Sequence, residues 1–273
     1  MTTKMMMLVF LALCSGHALL FSEKLKAQEV NICISDWNDY TLYKPKKPED
    51  PKNDLGYMAD LVKAAFKSQG YDVKYSWLPS SRGFQYTKEG KADAFLGAYE
   101  SEIYDYIGNQ EPIGRLRSHF LVSQQESWRF TDEASLFKAQ GIGIWEGYDY
   151  IDPIFSKYME SKPENLFFLP DDNDVANRAV KMVHSGRLTA IVADPGSINY
   201  YIKKNKLEGL VDAGQCLKPE YLYACFSPVQ PKRSKRLADL LDEGIKKIRS
   251  TGQLEKILKK YDLEDWALSA AKK

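Results

Sequence analysis

A short pattern occurs twice in this chain, and it restricts the fold more than any other feature. Gly90-Lys91-Ala92-Asp93-Ala94-Phe95-Leu96-Gly97-Ala98-Tyr99 is echoed by Gly186-Arg187-Leu188-Thr189-Ala190-Ile191-Val192-Ala193-Asp194-Pro195. Each copy opens with a glycine and a basic residue, runs into a short apolar stretch and ends in polar or aromatic residues. Helical spacing precedes both, over residues 81–89 and 174–185; in the second, Val175, Ala179, Val180 and Val183 share one face. A helix–glycine–strand unit that recurs about a hundred residues later predicts an α/β chain with two similar lobes. Chance similarity is the competing explanation, because such joints commonly use a glycine as the helix stop.

The rest of the chain fits alternating elements. Val30 to Ile34 is an apolar run suited to a buried first strand. Residues 44–54, with three prolines and many charges, read as a loop. Tyr57, Met58, Leu61, Val62, Ala65 and Phe66 recur at helical spacing, and Gly70 follows as a stop. Val73, Tyr75 and Trp77 alternate as in a strand. Near the end, Leu237, Leu240, Leu241, Ile245 and Ile248 form one helical face; Gly252 interrupts, and Leu254, Ile257, Leu258 and Tyr261 form another. The lysine-rich stretches 44–52 and 232–236 are expected to be solvated loops.

Residues 1–27 are expected to be a secretory signal peptide. Lys4 precedes an apolar core, and no acidic residue appears before Glu23. Cleavage is expected after Ala27, with Ala18 as the alternative. A retained membrane anchor is the competing reading, but the apolar stretch is short and interrupted against the ~20 residues of a spanning helix. Of 38 basic and 37 acidic residues, the export segment carries three and one, so the mature 246 residues hold 35 and 36. That balance does not recommend nucleic acid as a partner. Three cysteines remain, Cys33, Cys216 and Cys225, without the CxxC spacing of a zinc or redox motif. An oxidising compartment permits a Cys216–Cys225 disulfide; three free thiols are the alternative, with Cys33 a buried one. No cofactor or metal is expected.

In open α/β sheets, ligands lie beyond the carboxyl ends of the strands. That rule selects residues 36–40, 99–101, 145–148 and 194–197, which are rich in aromatic and polar groups. Trp37, Tyr40, Tyr99, Trp145 and Tyr148 are candidates to stack on a solute, and Arg82 and Asp194 are candidates to pair with its charges. Asp194 also reads as a helix N-cap, with Pro195 in the first turn. Gly141, Gly143 and Gly147 miss the GxGxxG spacing of a dinucleotide loop by one residue and read as turns. GxSxG, HExxH and Walker motifs are absent from the sequence, and the mature histidines are His119 and His184 alone.

Several pieces together resemble the family 3 extracellular solute-binding proteins, the amino-acid receptors of bacterial ABC importers. They are Leu55-Gly56-Tyr57-Met58-Ala59-Asp60-Leu61, Leu78-Pro79-Ser80-Ser81-Arg82-Gly83, Glu89-Gly90-Lys91-Ala92-Asp93-Ala94, Gly141-Ile142-Gly143-Ile144-Trp145-Glu146-Gly147, Gly186-Arg187-Leu188-Thr189-Ala190 and Ser250-Thr251-Gly252-Gln253-Leu254. The resemblance implies a type II periplasmic-binding-protein fold, with two Rossmann-like lobes joined by a two-segment hinge. Lobe one would be residues 28–120 plus 225–273, and lobe two residues 121–224. It further implies a periplasmic, monomeric receptor serving the membrane subunits of an importer. Asp194 matches the family's acidic residue that receives an α-amino group. The family's carboxylate-clamping arginine has no counterpart: Tyr104 stands at about that position, leaving Arg82, Arg115 or Arg117 as substitutes or a different ligand class. The same resemblance extends to cyclohexadienyl dehydratases, for which Glu100 or Glu102 would be the acid. An orphan sensory module is the third reading.

Overall fold

The computed structural model describes residues 28–35, 55–146, 150, 152–170 and 175–267. The first half builds β1 (Gln28–Ile34), α1 (Tyr57–Ser68), β2 (Tyr71–Trp77), α2 (Ser80–Lys88), β3 (Ala94–Tyr99), β4 (Ile107–Gly108) and β5 (Gly114–Leu116). The middle builds β6 (His119–Ser123), α3 (Glu133–Leu136), β7 (Ile142–Trp145), α4 (Pro153–Glu160), β8 (Leu166–Leu169), α5 (Val175–His184), β9 (Ala190–Ala193), α6 (Pro195–Asn205) and β10 (Leu210–Gln215). The chain closes with β11 (Glu220–Phe226), α7 (Pro231–Ser250) and α8 (Gln253–Lys260).

These strands form two sheets of the same design. The first runs β2-β1-β3-β11-β4, with β5 also paired to β11; the second runs β10-β6-β9-β7-β8. β1 is parallel to β2 and β3, as β7 is to β8 and β9. Each parallel triplet then meets an antiparallel strand, β11 on β3 and β6 on β9. The sequence echo falls on equivalent places. Lys91 N–H donates to Tyr86 O at 3.1 Å, and Arg187 N–H to Met182 O at 2.9 Å. Between them Gly90 and Gly186 sit at φ +75° and +71°, the left-handed stop that a side chain would strain.

Both faces of each sheet are covered, and strand alternation sorts the apolar residues between them. In the second sheet, Phe120, Val122, Ile142, Ile144 and Val192 pack under Phe155 and Tyr158 of α4. Leu121 and Ile191 point the other way, to Val180 and Val183 of α5 and Ile198 of α6. In the first sheet, Val30, Ile32, Ile34 and Leu96 meet α1 and α7. Two carboxylates, the half-buried Asp93 and the buried Asp242, lock the helices to this frame. Asp93 accepts from Asn31 N–H (2.9 Å) and from Arg233 Nε (2.9 Å) and Nη2 (3.2 Å). Asp242 accepts from the N–H groups of Gln110 (3.0 Å) and Glu111 (2.8 Å). Residues 232–236 are therefore not a loop. They are the opening turns of α7, started by Pro231 and held by Arg233 on Asp93. The 44–54 stretch and residues 1–27 lie outside the described residues.

The chain crosses between the sheets twice, through Arg117 and Ser118 after β5 and through residues 216–219 before β11. The crossings are hydrogen-bonded to each other: Ser118 O accepts from the N–H of Cys216 (2.7 Å) and of Leu217 (3.2 Å). Cys216 and Cys225 do not pair, because they serve different cores. Cys216 packs with Phe120 and Val122 in the second lobe, and Cys225 with Phe95 and Cys33 in the first. Cys33 and Cys225 each stand in register with Phe95 on neighbouring strands. Two strand spacings put them ~10 Å apart, beyond the ~7 Å reach of a disulfide.

Two outcomes follow from this packing. A Cβ on Gly244 of α7 would lie 2.4 Å from the Ala65 carbonyl oxygen of α1. Gly244→Ala should therefore destabilise the protein by about 1–3 kcal/mol, read as a lower urea midpoint at unchanged slope. A thiol reagent should modify Cys33, Cys216 and Cys225 in denaturant and none of these three in the native protein, since burial raises each thiol, that of Cys225 to about 12.

Candidate ligand cleft between the two sheets

Asp194 follows β9 directly and begins α6, so the sheet delivers it to the gap where the chain crosses over. Pro195 supplies the helical φ of the first position, and Asp194 caps the helix: its Oδ1 accepts from Ser197 N–H at 2.8 Å. Its Oδ2 accepts from Arg117 N–H, on the first crossing, at 3.0 Å. The Arg117 Nε stands 4.0 Å from the same oxygen. The Asp194 side chain is only 12% exposed. Burial raises its pKa, opposed by the Ser197 N–H, the Arg117 charge and the Arg117 and Gly196 N–H groups. A carboxylate has roughly four lone-pair directions; the Ser197 and Arg117 N–H bonds use two, and the Gly196 N–H also draws on the group.

Tyr57, the first residue of α1, faces this carboxylate from the first lobe. It is buried, and its phenol is raised by that burial and next by the charge of Asp194, against the backbone and charge of Arg115. Gly114 makes room for the hydroxyl, since a Cβ there would come within 2.6 Å of it. Arg115 is opposite Tyr221 in the β5–β11 pairing. Its pKa is lowered by burial and by Arg117, with Tyr221, Asp194 and Tyr57 acting the other way. Two guanidiniums, one carboxylate and two phenols thus act on one another at the crossing.

Beside them, at the exit of β3, lies a depression of about 450 Å³. Tyr99, Glu100 and Ser101 line one side, and Pro219, Glu220 and Tyr221 of the second crossing line the other. The β3 exit is made rigid by a one-turn 3-10 helix, in which Glu102 accepts the Tyr99 N–H at 2.8 Å.

The sequence model described as bacterial extracellular solute-binding proteins, family 3, matches residues 39–264. The chain belongs to this family. The arginine-binding extracellular protein ArtP of Bacillus subtilis is 22% identical over 231 residues, covering 80% of this chain and 82% of that protein. A probable histidine-binding protein of Neisseria gonorrhoeae is 21% identical over 228 residues, covering 80% and 79%. Among solved structures, the probable amino-acid ABC transporter extracellular-binding protein ytmK of Bacillus subtilis superimposes with a TM-score of 0.66 at 17% identity, covering 88% of this chain and all of that one. The two-sheet architecture is the type II fold of this solute-binding family.

Within that family 3 frame, the sequence candidates fall at different places. Asp194, Tyr99 and Trp145 each stand at a strand exit, Tyr99 as the last residue of β3 and Trp145 as the last of β7. Trp145 N–H donates to the Tyr150 hydroxyl at 2.9 Å. Arg82 is exposed in the first turn of α2, and among the described residues it makes no ion pair. Trp37, Tyr40 and Tyr148 lie outside the described residues. Tyr104, expected at about the position of the family arginine, is 83% exposed. Arg115 and Arg117, the other two substitutes, are on the first crossing with Asp194. Tyr57 and Tyr221 were not singled out as site residues. Their signals were Tyr57 in the Gly56–Leu61 motif and Tyr221 beside the crossing prolyl residue, both of which read equally as core.

The Asp194 shift fixes a pH dependence. A carboxyl whose folded pKa is raised binds more protons folded than unfolded, so its contribution is full below the unfolded value and is lost as pH rises through the folded one. The stability of wild type relative to Asp194→Asn should be greatest below pH 3.8 and shrink as pH rises above it, read from paired urea midpoints.

Proposed function

We propose that this chain is an exported receptor whose two lobes close on a small polar solute, an amino acid or a related compound, and deliver it to the membrane subunits of an ABC importer. The observation that carries this reading is Asp194: a carboxylate buried between the sheets, oriented by two backbone N–H groups, with lone pairs to spare. That is a suitable acceptor for an ammonium group. In this reading β1 to β5 together with β11, α7 and α8 form one jaw and β6 to β10 the other, so the bounds lie at the crossings rather than at residues 120 and 225. The two crossings at residues 117–118 and 216–219 bend, and Tyr57 and Tyr99 meet the solute from the first jaw. The names of the curated relatives, arginine-binding and histidine-binding, support a nitrogen-bearing solute. Removal of residues 1–27 releases a monomer into the periplasm, which binds without turnover.

Calorimetric titration of the mature protein with a panel of amino acids and amines tests this. A saturable one-to-one heat with at least one of them is expected. Asp194→Asn, which keeps a capping acceptor, should weaken that ligand by at least about thirtyfold. Prephenate and arogenate should be recovered unchanged after incubation. Their conversion would make the chain a dehydratase, and full affinity in Asp194→Asn would remove the carboxylate from the site.

A further inference from the structure

The two lobes also meet away from the crossings, where α6 of the second lies against the end of α8 of the first. Tyr200 is on α6, yet it packs against the core of the first lobe. Its ring lies 6.3 Å from that of Tyr261, which follows α8 directly. One turn further along the same face of α6, Lys203 pairs with Asp262 at 2.5 Å. A ring contact and an ion pair thus join the same two helices.

The first-lobe half of this contact is braced on α1. Asp60 Oδ2 accepts from the Tyr261 hydroxyl at 2.8 Å and from Lys260 Nζ at 2.9 Å. The Tyr261 ring meets Tyr57 edge-on at 6.4 Å. Tyr57 is the residue that faces Asp194, and Asp194 begins α6. The contacts therefore close a circuit from Asp194 along α6 to Tyr200, across to Tyr261, and through Tyr57 back to Asp194. At ~1.5 Å per residue, Tyr200 is ~9 Å along the helix from Asp194. A swing of the second lobe that carries Asp194 away from Tyr57 must drag α6 off Tyr261 and Asp262.

Asp262 is an unusual residue for its place. It sits at φ +57°, just past the end of α8, where glycine is favoured. Closing α8 does not require its carboxylate, because the backbone does so: Asp262 N–H donates to Lys259 O at 3.1 Å and Leu263 N–H to Leu258 O at 2.9 Å. What the side chain adds is Lys203 of the other lobe. We propose that Tyr200–Tyr261 and Lys203–Asp262 form a latch that holds the ligand-free lobes apposed and sets how much of the separated form exists for a solute to enter. The inference rests on the receptor reading above for the bending crossings and names the residues that govern the bend. An exposed ion pair and a single ring pair are each weak, so this latch biases an equilibrium and does not lock the cleft.

Interspin distances in the ligand-free mature protein test this. Nitroxides are placed at Lys74→Cys on β2 and Glu160→Cys at the end of α4, both exposed, while Cys33, Cys216 and Cys225 are buried. Wild type is expected to give a major distance for the apposed lobes and a minor one for the separated form. Lys203→Gln and Asp262→Gly should each raise the minor population by up to about fivefold, and Tyr200→Ala by about three- to tenfold. The double variant Lys203→Gln/Asp262→Gly should do no more than the stronger single one. The urea midpoint of Asp262→Gly should stay near that of wild type, since glycine suits φ +57°. Unchanged distances in all three single variants, or additive effects of Lys203→Gln and Asp262→Gly, overturn the latch. So does a rise of the major population, which would make the contact a brake on closure. A midpoint far below wild type in Asp262→Gly would assign the aspartate to the fold of α8 instead. These measurements need no solute, so their failure leaves the receptor reading to the calorimetric titration, and a failed titration leaves the latch standing.

Discussion

The structure turns on one small junction. Ser118 O ties the second crossing to the first through the Cys216 and Leu217 N–H groups, and Arg117 N–H, one residue earlier, ties the first crossing to Asp194. Without that junction the two sheets would be independent bodies joined by two loose strands. With it, the end of β9, the start of α6 and both crossings share one hydrogen-bonded frame. Buried backbone groups at a crossing need partners, and here the crossing segments and one side chain satisfy them.

The repeated unit shows how far the fold was legible. Helix, left-handed glycine and strand were all readable in Gly90 and Gly186 because each signal is local: a period, a stop and an apolar run. The first strand, α1 with its Gly70 stop, and the break at Gly252 between α7 and α8 were readable for the same reason. What was not legible depends on partners distant in sequence. The 232–236 stretch reads as a charged loop until Arg233 meets Asp93, 140 residues away. The two cysteines separated by eight residues, Cys216 and Cys225, invite a disulfide until the strands assign them to separate cores. Short strands such as β4 and β5 carry no periodicity of their own and exist because β11 pairs with them.

The site divides in the same way. Asp194, Tyr99 and Trp145 could be found from strand exits, because that rule is topological and follows from the predicted sheet. Tyr57 and Tyr221 could not be distinguished from core aromatics, since what sets them apart is what stands opposite: Asp194 for one and the β3 exit for the other. The expectation that Tyr104 stands near the family arginine comes from the resemblance alone, and the structure places that tyrosine on the surface.

Asp194 accepts the Ser197 N–H that starts a helix and the Arg117 N–H that anchors a crossing, and it is also the carboxylate of the cleft. One side chain thus caps a helix and anchors a crossing, and in the proposed receptor it serves recognition as well. Such a position is poor ground for evolutionary change, because any substitution that altered the solute would also disturb the frame. The β3 exit carries no comparable duty at Tyr104 or Glu100, which are exposed and outside the junction. An exchange at Asp194 therefore costs the fold as well as any contact it makes, whereas an exchange at Tyr104 or Glu100 leaves the junction intact.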